Sequence, residues 1–129
     1  MGKLSTSILQ DGNKNTTIQI CGLVDSDDSP GILEVLVFGN LMGAPKGMKL
    51  EAMIFAIQEK MGLHLWWTMH DGSRRYVITL ESRGRFDFEA LQGLQSPEGV
   101  KGLAVSIFGF EKTKGQMGLM NLLDMDKNA

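Results

Sequence analysis

Residues 62–80, GLHLWWTMHDGSRRYVITL, limit the folds open to this chain more than any other stretch, because they alternate as the two arms of a β-hairpin do. Leu63, Leu65, Trp67 and Met69 fall on one face of an extended strand, and His64, Trp66 and Thr68 on the other. Tyr76, Ile78 and Leu80 share a face in the second arm. His70-Asp71-Gly72-Ser73 joins the arms. Asp-Gly between alternating apolar runs marks a primed turn, whose positive φ glycine accepts without steric cost. In this register Trp67 belongs to the core, and Trp66 faces another layer, an edge or a neighbouring subunit. The two indoles point to opposite sides and so cannot form one stacking platform.

The rest of the chain repeats the pattern in shorter form. Residues 4–10, 16–24, 32–38 and 103–110 are apolar or alternating runs, separated by clusters of turn formers such as Asp11-Gly12-Asn13-Lys14-Asn15. Residues 48–58, MKLEAMIFAIQ, satisfy helical spacing as well; read as a strand they feed directly into the hairpin and make a meander. Gly84 marks a bulge or tight bend in 81–88. At 129 residues the chain has room for one ordinary core. The expected fold is all-β: a single-domain antiparallel β-sandwich or jelly roll over residues 1–110. Residues 111–129 follow it as an extended or short-helical C-terminal arm, since Met117, Met120 and Leu123 have helical spacing while two glycines weaken a helix.

Charge and cysteine content exclude several function classes. Thirteen Lys and Arg against 15 Asp and Glu leave a net charge of -2, which argues against the broad electropositive surface of a nucleic-acid binder. The single cysteine, Cys21, permits no intramolecular disulfide and reads as a buried small hydrophobe, in keeping with a reducing birthplace. Residues 1–15 turn polar too early for a signal peptide, and no run approaches the ~20 apolar residues of a membrane helix.

Candidate chemistry is sparse. Asp25, Asp27 and Asp28 offer oxygen ligands, but an EF-hand loop counted from Asp25 would have Pro30 and Leu36 where Gly and Glu are required, and a solvated turn explains the acids. His64, His70 and Asp71 begin an acid-base argument without a nucleophile elbow or metal spacing to complete it. Arg74, Arg75, Arg83 and Arg85 form a basic group that can pair with carboxylate or phosphate, or guard a sheet edge. Apolar residues outside the expected strands are better candidates for partner contact. Leu41 and Met42 sit in a glycine-rich loop, and Met117, Leu119, Met120, Leu122, Leu123 and Met125 crowd the tail, with Trp66 as an aromatic anchor.

Three stretches carry a family resemblance: 17–25 (TIQICGLVD), 62–67 (GLHLWW), and 83–88 (RGRFDF) with Gly93-Leu94 after it. Together they resemble small tailed-phage virion proteins, in particular head decoration or capsid cement proteins, over roughly residues 11–110. The resemblance implies a non-enzymatic, cofactor-free structural protein on the capsid surface, made in the host cytoplasm. Its partner would be the major capsid protein, whose lattice it stabilises. Edge strands and the apolar tail make a homo-oligomer, a trimer or other symmetric assembly, the expected state, and the hydropathy and net charge argue against a membrane or nucleic acid as partner. Two alternatives share the composition: a tail, neck or baseplate subunit, and a carbohydrate- or receptor-binding β-sandwich using exposed aromatics such as Trp66.

Overall fold

The computed structural model describes residues 3–25, 33–58, 61–88, 92–108 and 116–127. Among these, ten strands follow one another: β1 (Lys3–Asp11), β2 (Asn15–Asp25), β3 (Leu33–Val37), β4 (Lys49–Ile57), β5 (Gly62–Met69), β6 (Arg74–Glu81), β7 (Arg83–Asp87), β8 (Leu94–Gln95), β9 (Val100–Phe108) and β10 (Gln116–Asp126). Their pairing nests around the turn that the sequence marks at His70–Ser73. β5 pairs with β6, β4 with β7, β3 with β9 and β2 with β10, all antiparallel. The long ribbon so formed is rolled into two sheets, one ordered β1-β2-β10-β4-β7 with β8 also on β4, the other β3-β9-β5-β6. This is the connectivity of a jelly-roll β-sandwich.

Between the sheets lies one apolar layer. Ile18, Ile20, Leu50, Met53, Leu63, Leu65, Leu103 and Leu123 are all buried there. Trp67 joins them at 4% exposure and meets the Phe38 ring edge-on at 6.4 Å. Each fully buried aliphatic side chain contributes about 1.5–3 kcal/mol, so this layer dominates the stability of the sandwich.

The hairpin closes in a slightly different way from a two-residue primed turn. Gly72 N–H donates to Met69 O (3.0 Å), and Gly72 alone takes positive φ (88°), with Met69 N–H donating to Ser73 O (2.9 Å). This is a three-residue loop ending in a glycine bulge, which demands one left-handed residue rather than two, so His70 and Asp71 keep ordinary backbone conformations. A second bulge lies in β6. Leu65 opposes Ile78 but Trp66 opposes Tyr76, leaving Val77 as an extra residue. Because side chains alternate with period two, that residue turns Tyr76 away from the face of Ile78 and Leu80.

Two further expectations change. Residues 116–126, expected within an extended or short-helical arm, are extended and hydrogen-bonded on both sides, between β2 and β4 in the interior of their sheet. Leu119, Asn121, Leu123 and Met125 all point into the sandwich and are buried. Met120 and Leu122 point out, so residues three apart that look helical in the sequence lie on opposite faces. The bend expected at Gly84 falls on Ser82 (φ 63°), whereas Gly84 lies inside β7 beneath the Phe55 ring.

The end of the sandwich near the β1–β2 turn is tied by one lysine. Lys127 Nζ donates to Asp11 Oδ1 (2.5 Å), Gly12 O (2.7 Å) and Met42 O (2.8 Å), which uses all three of its protons. Met42 N–H donates to the other carboxylate oxygen of Asp11 (2.7 Å), so the 41–44 loop and the β1–β2 turn share one anchor.

Candidate functional site

The outward face of the β3-β9-β5-β6 sheet carries an aromatic cluster. His64 and Trp66 point outward from β5, Tyr76 reaches the same face through the bulge at Val77, and Phe108 comes from β9 opposite Gly62. Phe108 stacks on His64 at 4.4 Å and 19°. Trp66 meets Tyr76 edge-on at 5.7 Å and His64 at 6.0 Å, and His64 lies 6.2 Å from Tyr76. Such pairs add about 0.5–1.5 kcal/mol each beyond area burial, enough to hold the rings in one arrangement.

Hydrogen bonds fix the polar ends of the same rings. Trp66 Nε1–H donates to Ser106 Oγ (3.0 Å). Thr79 Oγ1 lies 2.6 Å from Tyr76 Oη and 2.8 Å from His64 Nδ1, so one hydroxyl ties two aromatic groups together. Gly62 is what allows Phe108 to lie flat: a Cβ at this position would fall within the Phe108 ring. Tyr76 remains 55% exposed, and His64, Trp66 and Phe108 are half-buried. The result is a pre-ordered aromatic surface open to solvent.

The Tyr76, Thr79 and His64 groups satisfy one another in a short chain; among the described residues no carboxylate is joined to it, and no group of three His, Cys, Asp or Glu could hold a metal ion. His70 and Asp71 are not brought to His64. They sit at the hairpin tip, where Asp71 Oδ1 accepts from Ser73 N–H (2.8 Å) and Ser73 Oγ–H (2.5 Å). Those two hydrogen bonds lower the Asp71 carboxyl below its ordinary range.

The interface candidates divide sharply. Leu41, Leu119, Leu123 and Met125 are buried in the sandwich and are corrected from partner anchors to core residues. Met42 is 52% exposed beside the Lys127 tie, and Met120 and Leu122 are half-buried on the outward face of the other sheet, next to Cys21. Cys21 is itself half-buried rather than buried. The side chain of Met117 lies outside the described residues, as do Asp27 and Asp28. Trp66 alone joins the aromatic face. Arg74 and Arg75 lie on β6 and Arg83 and Arg85 on β7, so the basic group is split between the edges of two sheets.

An open cleft of about 770 Å³ lies at the hairpin end, with His70, Lys46, Glu98, Lys101 and Lys127 among apolar walls from Val37, Pro45, Pro97 and Val100. Two of its lysines are already engaged, Lys127 as above and Lys101 with Glu34 at 3.6 Å. Tyr76 and Phe108 were not legible as site residues, the first because of the bulge and the second because its ring reaches His64 only over a glycine.

No protein-family model and no curated protein matches this chain. Among solved structures it is similar to Peruvianin-I, a cysteine peptidase from Thevetia peruviana latex, at 12% identity and a TM-score of 0.38, over 97% of this chain and 63% of that one. It is similar to FeII HppE at 12% identity and a TM-score of 0.31, over 84% of this chain and 43% of that one. The chain thus spans less than two thirds of either protein, and similarity this distant carries no argument about activity.

Proposed function

We propose that this chain is a non-catalytic structural protein that docks on a larger assembly through the aromatic face formed by His64, Trp66, Tyr76 and Phe108. The observation that carries the reading is the order of that face. Its rings are fixed by stacking and by hydrogen bonds to Ser106 and Thr79 while Tyr76 stays open. Docking such a surface forfeits little side-chain entropy, and tryptophan and tyrosine are the residues that most often dominate an interface. Together with the strand motifs described above, this supports a head decoration protein of a tailed phage, placed on the capsid surface with the major capsid protein as its partner.

Co-sedimentation with expanded capsids, assembled from the major capsid protein encoded alongside the chain, tests it. The wild-type chain should pellet with capsids. Tyr76→Ala and Trp66→Ala should weaken binding roughly thirtyfold each, the equivalent of about 2 kcal/mol for a hot-spot ring. A folded wild-type chain that stays in the supernatant overturns the capsid reading. The same rings favour a second reading, a carbohydrate-binding module, because an exposed ring flanked by hydroxyls suits a sugar face. Saturable quenching of Trp66 fluorescence by free glycans, absent in Tyr76→Ala, would select it.

A further inference from the structure

The four lateral edges of the sandwich are not equally protected. β6 carries Arg74 and Arg75, β7 is five residues long with Arg83, Arg85 and Asp87, and β3 is five residues long with Glu34. Short length and charge are the usual means of keeping an edge from pairing with another chain. β1 has neither. It spans nine residues, is hydrogen-bonded among the described residues to β2 alone and so on one side, and from Leu4 to Leu9 contains no charge, proline or glycine.

The core layer also runs out to this edge and stops uncovered. Thr6 opposes Ile20 and Ile8 opposes Ile18, and both isoleucines of β2 are fully buried. Ile8, on the same face, is left 49% exposed. Beyond it the register shifts between Ile8 and Gln10, and Asp11 is taken up by Lys127, so the regular ladder available to a new strand covers residues 4–8.

Those five residues, Leu-Ser-Thr-Ser-Ile, read nearly alike in both directions about Thr6. An isologous two-fold contact needs just such self-complementarity. We propose that β1 pairs antiparallel with β1 of a second copy about a two-fold axis at Thr6, joining two six-stranded sheets into one. In that register Leu4 falls opposite Ile8 of the second copy, Ser5 opposite its Ser7, and Thr6 opposite Thr6. Apolar meets apolar and hydroxyl meets hydroxyl, which a one-residue slip would destroy.

Sedimentation equilibrium of the full chain tests association, and cross-linking tests register. The wild-type chain should be a dimer that dissociates on dilution. Thr6→Lys sets two like charges together at the axis and should raise the dissociation constant at least about tenfold, while melting at the same temperature as the wild type at concentrations where both are monomeric, which separates lost pairing from lost folding. In a Cys21→Ser background, Thr6→Cys should form an inter-chain disulfide under mild oxidation, because residues directly opposite in an antiparallel pair lie within disulfide reach. Ile8→Cys should not, because it faces Leu4. A wild-type chain that is monomeric up to high micromolar concentration overturns the proposal. So does a dimer that Thr6→Lys leaves intact, or one in which Ile8→Cys cross-links and Thr6→Cys does not.

Discussion

The two sheets turn different surfaces outward. On the β3-β9-β5-β6 sheet the outward side chains are rings, locked to one another and to Ser106 and Thr79. On the other sheet they are Thr17, Gln19, Cys21, Met120, Leu122 and Ile54, with Arg83 and Arg85 along the β7 edge and no ring pair among them. Both faces are partly apolar, so apolarity does not tell them apart. What differs is order. Immobilising a methionine or leucine on a partner costs about 0.5–1.5 kcal/mol of rotamer entropy, whereas the rings have already lost theirs on folding.

The largest effect that could break this contrast belongs to the adjacent tryptophans. Trp67→Ala should lower stability by about 3–5 kcal/mol, the range for deleting a buried indole, whereas Trp66→Ala should lose about 1 kcal/mol and fold normally. Urea denaturation of the two variants measures both. Equal losses would mean that the outward rings belong to the core and leave no face to dock with.

Lys127→Met comes next. It takes the cation from the Asp11 carboxylate, which keeps Met42 N–H and the Thr16 hydroxyl as donors, and removes the donor from two carbonyls, and should cost about 2–3 kcal/mol without touching either outward face. Its pH dependence has a definite sign. The Lys127 ammonium, with Met42 N–H assisting, holds the Asp11 carboxyl below its ordinary value of 3.8. The stabilisation is therefore complete above that value and is lost as the pH falls through the lower folded one. Thermal melts of Lys127→Met should accordingly show a flatter acid limb than the wild type.

Gly62→Ala bears on the ring order itself. The new methyl collides with the Phe108 ring, which can swing aside, so a loss of about 1–2 kcal/mol is expected together with near-ultraviolet circular dichroism changed by the unstacking of His64. Unaltered ring signals would show that the stack is not held by the glycine. Smaller again is Glu51→Gln. Burial first, then the nearby Asp126 charge, raises the Glu51 carboxyl, so the folded state loses stability as the pH rises through that raised value. The variant should melt above the wild type at neutral pH and converge with it in acid.

Much of the fold was legible in the sequence, and the reasons are local. Strict alternation in residues 62–69 placed Trp67 in the core and Trp66 outside it, because neither bulge interrupts β5 itself. β4 resolved as a strand despite its helical spacing. Leu50 nevertheless shares the inward face with Met53, since Glu51 is an extra residue opposite the Asp124–Met125 step. β10 was obscured for two reasons. Both its faces carry apolar residues, and Asn121 occupies an inward position, donating from its side-chain amide to Ile54 O (3.3 Å), so no alternation survives in the letters.

The aromatic face was only half legible. Trp66 is a plain candidate, but its partnership with Tyr76 depends on the Val77 bulge, and a bulge is a property of two strands in register rather than of either sequence alone. The apolar tail shows the opposite failure. Hydrophobic residues outside recognised strands suggested a sticky arm, and four of the nine interface candidates proved to be the interior of the protein.

The place of β10 has a consequence for synthesis. The nested ribbon assigns the last described strand to the middle of its sheet, between β2 and β4, which are made long before it. Until residue 126 has left the ribosome, β2 and β4 each present an open edge with Ile18, Ile20 and Met53 uncovered, and a nascent chain in that state is exposed to aggregation. Folding of this sandwich is therefore gated by translation of β10, and production from a message truncated or stalled before it should yield insoluble protein rather than a smaller folded domain.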